Sequence, residues 1–315
     1  MDVVTLGETM LRFSPPQGEC LESAAVFHVD FGGTEANVAV GLVRLGLSAG
    51  WVSRLPDNAL GRRVAGQIRY HGVDVSRVIW APGERVGTYY IELGRTPRPT
   101  EVIYDRAGSA FSRIAPEEVD WSYVRQARWV HLTGITPALG IGPRRTVERA
   151  IEEASASGAT ISFDVNYRAK LWSPVEAAGV LAPLLSRVHI IFSGVRDAAL
   201  LFGTSLDSGE AARLLYERYQ PRLVIITEGE AGAVAYDGTE HRATPPPVES
   251  IDPIGSGDAF AAGFIVGYLE DGVDTGLAWG VAYAAIKRTY RGDVVWAGRK
   301  ELMDVLRGPG RGVIR

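Results

Sequence analysis

Asp252-Pro253-Ile254-Gly255-Ser256-Gly257-Asp258-Ala259-Phe260 joins an acidic entry to a Gly-Ser-Gly turn and to an Asp that opens an apolar run reaching Leu269. That run predicts a buried or half-buried helix, which places Gly255 to Asp258 at its N-terminus. Amide N–H groups in a first helical turn have no intrahelical partner, and the helix dipole favours negative charge there. Glycines on both sides of Ser256 let the backbone approach a bulky anion, so the turn suits a phosphate. A carboxylate beside a phosphate is repelled, so Asp258 needs a task there, and accepting the proton of an attacking hydroxyl is one. The plainer alternative is an Asp that caps an ordinary helix.

Outward from this turn, short β-rich apolar runs at 3–6, 49–53, 129–132, 160–164, 189–192 and 223–227 alternate with amphipathic stretches at 34–45, 58–71, 143–157, 174–186 and 209–219. Continuous apolar strands separated by helices predict a mainly parallel sheet covered on both faces. Residues 11–31 and 86–107 break the rhythm. They read as strands without intervening helices, pairing as a small separate sheet that serves as a lid or as a plain edge hairpin. The expected division is therefore a core of 1–10, 32–85 and 108–307, a β lid of 11–31 and 86–107, and a frayed tail over 308–315.

The 315 residues suit one large α/β domain, and 46% hydrophobic with 22% charged residues allows an ample core. A net charge of −4 and the lack of a basic, aromatic-interleaved run exclude a nucleic-acid reader. Cys20 is the only cysteine, which excludes an intrachain disulfide and a cysteine-based zinc site. The chain enters a strand-like run at once and carries no apolar stretch of membrane-spanning length, so a cytoplasmic protein is expected. Arginine far outnumbers lysine, which occurs only as Lys170, Lys287 and Lys300.

Ligands of open α/β sheets collect at the carboxyl ends of strands, where several polar clusters fall. Gly32-Gly33-Thr34-Glu35-Ala36-Asn37 opens a helix; Asp164-Val165-Asn166-Tyr167-Arg168 follows the run 160–164; Thr227-Glu228-Gly229-Glu230-Ala231-Gly232 follows 223–227. Singly, each has an ordinary explanation: a tight turn, an Asp164–Arg168 ion pair, a hairpin connection.

Together with the Asp252–Asp258 turn, the clusters resemble the ribokinase-like, or PfkB, family of carbohydrate kinases over nearly the whole chain. The family's Asp-Thr-x-Gly-Ala-Gly-Asp signature reads Asp252 to Asp258 here, with Pro253 and Ser256 as variants that leave the backbone amides in place. Within the family the 2-keto-3-deoxygluconate kinases are nearest, through His131 to Leu139, Asp164 to Arg168 with Leu171-Trp172, Tyr104 to Ala110, and Arg291-Gly292-Asp293. The resemblance implies a three-layer α/β/α sandwich with a mainly parallel sheet and a small β-sheet lid. It implies an ATP-dependent kinase for the terminal C6 hydroxyl of a sugar acid, with Mg²⁺ and room for a monovalent cation such as K⁺.

It assigns Asp258 as the base and the amides of Gly255, Ser256 and Gly257 as the anion hole. Gly33, Asn37, Tyr89, Tyr104, Arg106, Ile135, Arg168 and Asp293 would surround the substrate. Asn166, Ser193, Thr227, Gly229, Gly232 and Ala285 would line the nucleotide, and the metal ligands stay unassigned. Tyr89 and Tyr90 point to opposite faces of one strand, and Gly-x-Tyr spacing favours Tyr89 for the pocket. Arginine forks match a carboxylate, so a neutral sugar would leave two buried guanidinium groups, Arg106 and Arg168, poorly paired.

Two departures stand out. The usual Asn-x-x-Glu reads Ser193-Gly194-Val195-Arg196, with Asp197 one place on, and the common N-terminal substrate-binding Asp is replaced by Met10-Leu11-Arg12-Phe13. Competing readings are a fructokinase or 2-keto-3-deoxygalactonate kinase, a non-catalytic sugar-binding regulator on the same fold, and a dinucleotide oxidoreductase, the last lacking any Gly-x-Gly-x-x-Gly after the first strand. A lid with an exposed face suits a homo-oligomer, a dimer or higher.

Overall fold

The computed structural model describes residues 1–94 and 97–308, so the tail expected over 308–315 lies, apart from Gly308, outside the described residues. The strands are β1 (Val3–Leu6), β2 (Met10–Ser14), β3 (His28–Gly32), β4 (Ala49–Pro56), β5 (Val78–Ala81), β6 (Thr88–Glu92) and β7 (Glu101–Asp105). They continue as β8 (Trp129–Thr133), β9 (Thr160–Asp164), β10 (Ile190–Gly194), β11 (Leu223–Thr227), β12 (Ala233–Tyr236) and β13 (Glu240–Ala243). The helices are α1 (Thr34–Arg44), α2 (Ala59–Tyr70), α3 (Trp121–Val124), α4 (Ile141–Ser157) and α5 (Pro174–Leu185). The last four are α6 (Val195–Phe202), α7 (Ser208–Tyr219), α8 (Ser256–Lys287) and α9 (Arg299–Leu306).

One sheet runs in the order β13-β12-β11-β10-β9-β8-β1-β4-β5, parallel except for the antiparallel additions of β12 and β13. Its strands are apolar on both faces because both are covered. Ile190, Phe192, Leu223 and Ile225 pack with residues of α1 and α8, while Ile191, Val224 and Ile226 pack with residues of α4, α5 and α7 on the other side. A three-layer α/β/α arrangement follows from that alternation. The strands β5, β12 and β13 and the helices α3, α6 and α9 lie outside the stretches expected from the sequence; the connection 229–232 does join an antiparallel pair, β11 to β12.

The second sheet, β3-β2-β6-β7, gathers the two regions without helices. Arg12 lies opposite Tyr89, and Phe13 opposite Tyr90, in the parallel pairing of β2 with β6. Alternation therefore gives one face to Met10, Arg12, Tyr89 and Ile91, and the other to Phe13 and Tyr90, whose rings stack at 5.2 Å. Among the described residues no helix is long and apolar enough to cross a membrane.

The span α8 reverses on itself at Asp271 and Gly272, whose backbones are non-helical. Glycines let its two halves lie close. A Cβ on Gly263 would come within 2.7 Å of the Trp279 carbonyl oxygen, and one on Gly267 within 2.7 Å of that of Thr275. The close contact fixes the half that carries Asp258 against the half that carries Lys287.

Two alanine substitutions separate this packing from intrinsic helix preference. Gly66→Ala in α2, where a Cβ meets nothing within 4 Å, should raise stability by about 0.5–1 kcal/mol. Gly263→Ala should lower it by about 1–3 kcal/mol through overpacking. Thermal and urea melts of the two variants check the opposite signs.

Candidate active site

The chain leaves β1 towards β4 and β5 on one side and later towards β8 to β11 on the other, so the carboxyl end of β1 is a topological switch point. A cavity of about 440 Å³ opens there. The carboxyl ends of the strands deliver Glu8, Ile135, Asp164, Asn166, Gly194 and Thr227 to it, and α6 adds Asp197. The helix α1 supplies Glu35 and Asn37, and the preceding turn supplies Gly33. The small sheet roofs it with Met10, Tyr89, Ile91 and Tyr104, with Arg106 just beyond β7. Gly255, Ser256, Gly257, Asp258, Arg168 and Asp293 complete the lining. Tyr90 faces the other way.

A second cavity of about 300 Å³ adjoins it, walled by Pro245, Val248, Val281, Ala284 and Ala285 with Gly229 and Gly232 at its edge. Thr227, Pro253, Ser256 and Gly257 border both spaces, so the glycine turn stands at the junction of a polar and an apolar chamber. Ser193 reaches neither. Its side chain is buried in β10 and its hydroxyl donates to the Gly194 carbonyl (3.1 Å), whereas the neighbouring Gly194 and Asp197 line the polar chamber. Arg196 is exposed on α6.

Gly255 caps α8 at φ 79°, a left-handed conformation, and a Cβ there would lie 1.9 Å from the Asp293 carbonyl oxygen. Glycine is required on both counts. The unengaged amides of the turn differ at one residue from the set expected to hold an anion. The Ser256 N–H closes the turn by donating to the Pro253 carbonyl oxygen (3.2 Å). Gly255, Gly257 and Asp258 are then the residues whose amides carry no hydrogen bond among the described residues.

Asp258 is buried at the start of α8 and accepts a hydrogen bond from Asn37 Nδ2 (2.6 Å). Burial pushes its pKa up to about 7; the Asn37 hydrogen bond and Arg168 oppose the rise, while the charges of Asp293 and Glu35 add to it. Asn37 Oδ1 is buried without a partner among the described residues and borders the cavity, where a substrate hydroxyl would satisfy it. Asp164 is raised to about 8, by burial first and then by the charges of Asp258 and Asp197. Asn166 holds a left-handed φ of 38° with its N–H on Asp164 Oδ1 (3.2 Å), a conformation Asn tolerates better than most residues. Glu35 accepts from the hydroxyls of Thr133 (2.7 Å) and Thr136 (2.9 Å), and burial raises its pKa.

The arginines divide differently from the sequence expectation. Arg106 already has a partner: its Nε donates to Glu8 Oε2 (2.8 Å) and its Nη2 to the same oxygen, and Ser109 Oγ donates to Glu8 Oε1. A neutral ligand would therefore not leave Arg106 unpaired. Arg168 makes no ion pair among the described residues and is exposed at the cavity rather than buried. Sequence reasoning assigned Glu8 no role and marked Arg12 only as part of the stretch that replaces the N-terminal Asp. A charged residue immediately beyond the first strand was the available signal for Glu8; Arg12 gave none, because its partners are about 240 and 280 positions away.

Arg12 is fully buried and pairs with Asp252 (2.6 Å) and Asp293 (2.5 Å); Tyr89 donates its hydroxyl to the other Asp293 oxygen (2.7 Å). The small sheet is thus tied to the segment that leads into the glycine turn.

A family model described as pfkB family carbohydrate kinase matches residues 1–295. The chain belongs to the pfkB family of carbohydrate kinases. Its architecture is the ribokinase-like fold. A 2-dehydro-3-deoxygalactonokinase of Haloferax volcanii is 41% identical over 316 aligned residues, which cover 100% of this chain and 99% of the relative. A 2-dehydro-3-deoxygluconokinase of Thermoproteus tenax is 33% identical over 90% of this chain and 87% of its own. The crystal structure of a 2-dehydro-3-deoxygluconokinase from Thermotoga maritima matches with a TM-score of 0.93 at 34% identity, covering 98% of each chain.

In this carbohydrate kinase the pH profile should report on Asp258. A base must be unprotonated, so kcat/KM should fall below an acid limb near pH 7. Asn37→Ala removes the hydrogen bond that favours the charged carboxylate and should move the limb to higher pH. A limb that stays in place in a folded Asn37→Ala enzyme would dissociate it from Asp258.

Proposed function

We propose that the kinase transfers the γ-phosphoryl group of ATP to the terminal C6 hydroxyl of a 2-keto-3-deoxy sugar acid, 2-keto-3-deoxygluconate or its C4 epimer. The observation that carries the reading is the placement of Asp258, a buried carboxylate with a pKa near 7, where a polar chamber and an apolar chamber meet at unengaged helix amides. The apolar chamber accommodates the nucleobase beside Ala285, and the phosphates pass over Gly255 and Gly257 towards Thr227. The sugar acid occupies the polar chamber.

Asp258 accepts the hydroxyl proton as the oxygen attacks the γ-phosphorus, and the bond from that phosphorus to the bridging oxygen of ADP breaks. The amides of Gly255, Gly257 and Asp258 face the negative charge that develops. The roof of Tyr89, Ile91 and Tyr104 keeps water, the competing acceptor, away from the phosphoryl group. Arg168, which makes no ion pair among the described residues, is suited to the substrate carboxylate, and Arg106 adds its remaining N–H groups.

The residues present suit Mg²⁺ bound with the nucleotide. Six carboxylates border the polar chamber (Glu8, Glu35, Asp164, Asp197, Asp258, Asp293) against two guanidinium groups (Arg106 and Arg168). Among the described residues no three acidic or histidine side chains converge on one point, which fits an ion that takes one or two carboxylates and completes its shell with water and phosphate oxygens. Asp164, raised by burial and then by the charges of Asp258 and Asp197, would hold it together with Asp197. When bound, the ion neutralises charge on the phosphates. Asp197 then does the work expected of the missing Glu.

The Haloferax volcanii relative supports the galactonate configuration, and the Thermoproteus tenax and Thermotoga maritima relatives support the gluconate one. The epimers differ in one hydroxyl, so both are expected to be accepted.

A coupled assay of ATP turnover across sugar acids and neutral sugars tests the reading. Both 2-keto-3-deoxy acids should exceed fructose and ribose in kcat/KM by roughly 100-fold or more. Arg168→Ala should cost the acids roughly 10- to 100-fold in kcat/KM and spare residual neutral-sugar turnover. Equal loss on every acceptor would move Arg168 from the substrate carboxylate to the phosphoryl group. Asp197→Asn should raise the Mg²⁺ concentration needed for half-maximal rate; an unchanged requirement would remove Asp197 from the metal.

A further inference from the structure

Lys287 is one of three lysines in the chain, and its side chain is completely buried near the end of α8. Its Nζ donates to the Asp252 carbonyl oxygen (2.8 Å) and the Tyr290 carbonyl oxygen (3.5 Å), and lies 3.9 Å from Asp252 Oδ1. These oxygens come from two segments that meet behind the glycine turn. The carboxylate of Asp252 also receives the N–H groups of Ile254 and Gly292, each at 3.0 Å. The Asp293 carbonyl, on the same loop as Tyr290, is the atom that a Cβ on Gly255 would strike.

The family resemblance left room for a monovalent cation such as K⁺. Such an ion needs converging carbonyl and carboxylate oxygens. At this place the set is already filled, by an ammonium group on the protein's own chain. Potassium and ammonium carry the same charge and make similar demands on oxygen ligands. Burial lowers the Lys287 pKa to about 8, while Asp252, Asp293 and Asp258 hold it against a further fall and Arg12 pushes it down. The group is therefore still largely charged at neutral pH.

We propose that Lys287 is a positioning residue that supplies a tethered monovalent cation behind the Gly255–Gly257 turn and makes the enzyme independent of K⁺. The ammonium joins the segment entering the turn to the loop 288–293, and the turn's amides are set by that join. The inference rests on the reading of the turn as the nucleotide's phosphate cradle. Its readout is ADP binding, which does not depend on which sugar is the acceptor, so a failed substrate panel and a failed cation test remain distinguishable.

The experiment measures ADP affinity by calorimetry, with kcat and KM for ATP beside it. The buffers contain choline as the sole monovalent cation, or choline replaced by K⁺ or ammonium. Wild-type affinity should stay within about 2-fold across the three. Lys287→Ala should lose about 10-fold or more in choline and recover most of it in K⁺ or ammonium. The wild-type arm needs no variant: a gain of about 10-fold on adding K⁺ would overturn the proposal. So would a folded Lys287→Ala protein that binds ADP normally in choline, or one whose loss neither cation repairs.

Discussion

The carboxylate of Asp252 is the tie on which the rest of the site depends. It is fully buried and takes hydrogen bonds from Arg12 on the small sheet, from Ile254 at the entry to the glycine turn, and from Gly292 on the loop after α8. Three parts of the chain far apart in sequence are held by one group. Burying such a charge is costly, and pairs of this kind are weak evidence for stability. What this one supplies is geometry. The turn that presents the amides, the roof and the loop behind Gly255 cannot move independently while Asp252 is engaged. The resemblance treated Asp252 as the first letter of a signature; the structure shows it as the mechanical centre of that signature.

The second constraint is the excess of negative charge in the polar chamber. A chamber bordered by six carboxylates and two arginines would repel both ATP and a sugar acid if every carboxylate were ionised. Burial of Asp164, Asp258 and Glu35 raises all three pKa values and eases that repulsion. A divalent ion bound with the nucleotide would ease it further. As the proposed base, Asp258 sits at the useful point of this balance, since a pKa near 7 leaves about half of the carboxylate free of its proton at neutral pH yet basic enough to take one.

Much of the fold was legible because the strands β1, β9 and β11 are short apolar runs with clear turn signals, and their limits match the expectation at both ends. The β12–β13 hairpin escaped because its second strand, Glu240-His241-Arg242-Ala243, is an edge with little apolar alternation. α6 escaped because it has only eight residues and follows β10 with no intervening loop. In the site, the placement of the glycine turn and Asp258 at a helix N-terminus was readable from local chemistry, whereas the roles proposed for them came from the resemblance. The pairing of Arg106 with Glu8 was not, because nothing in either local sequence names a partner about 100 positions away. With Arg106 engaged by Glu8, Arg168 is the guanidinium left to meet an acidic substrate of the kind the named relatives act on.

The central claim is that Asp258 is the base at a phosphate-binding turn, and Asp258→Asn tests it most directly. The substitution keeps the shape of the side chain and removes its ability to accept the hydroxyl proton. With the preferred sugar acid, kcat should fall by about 100-fold or more while ADP affinity stays within a few-fold of wild type. A kcat within a few-fold of wild type would contradict the account, leaving Asp258 as a helix cap and the proton to another group.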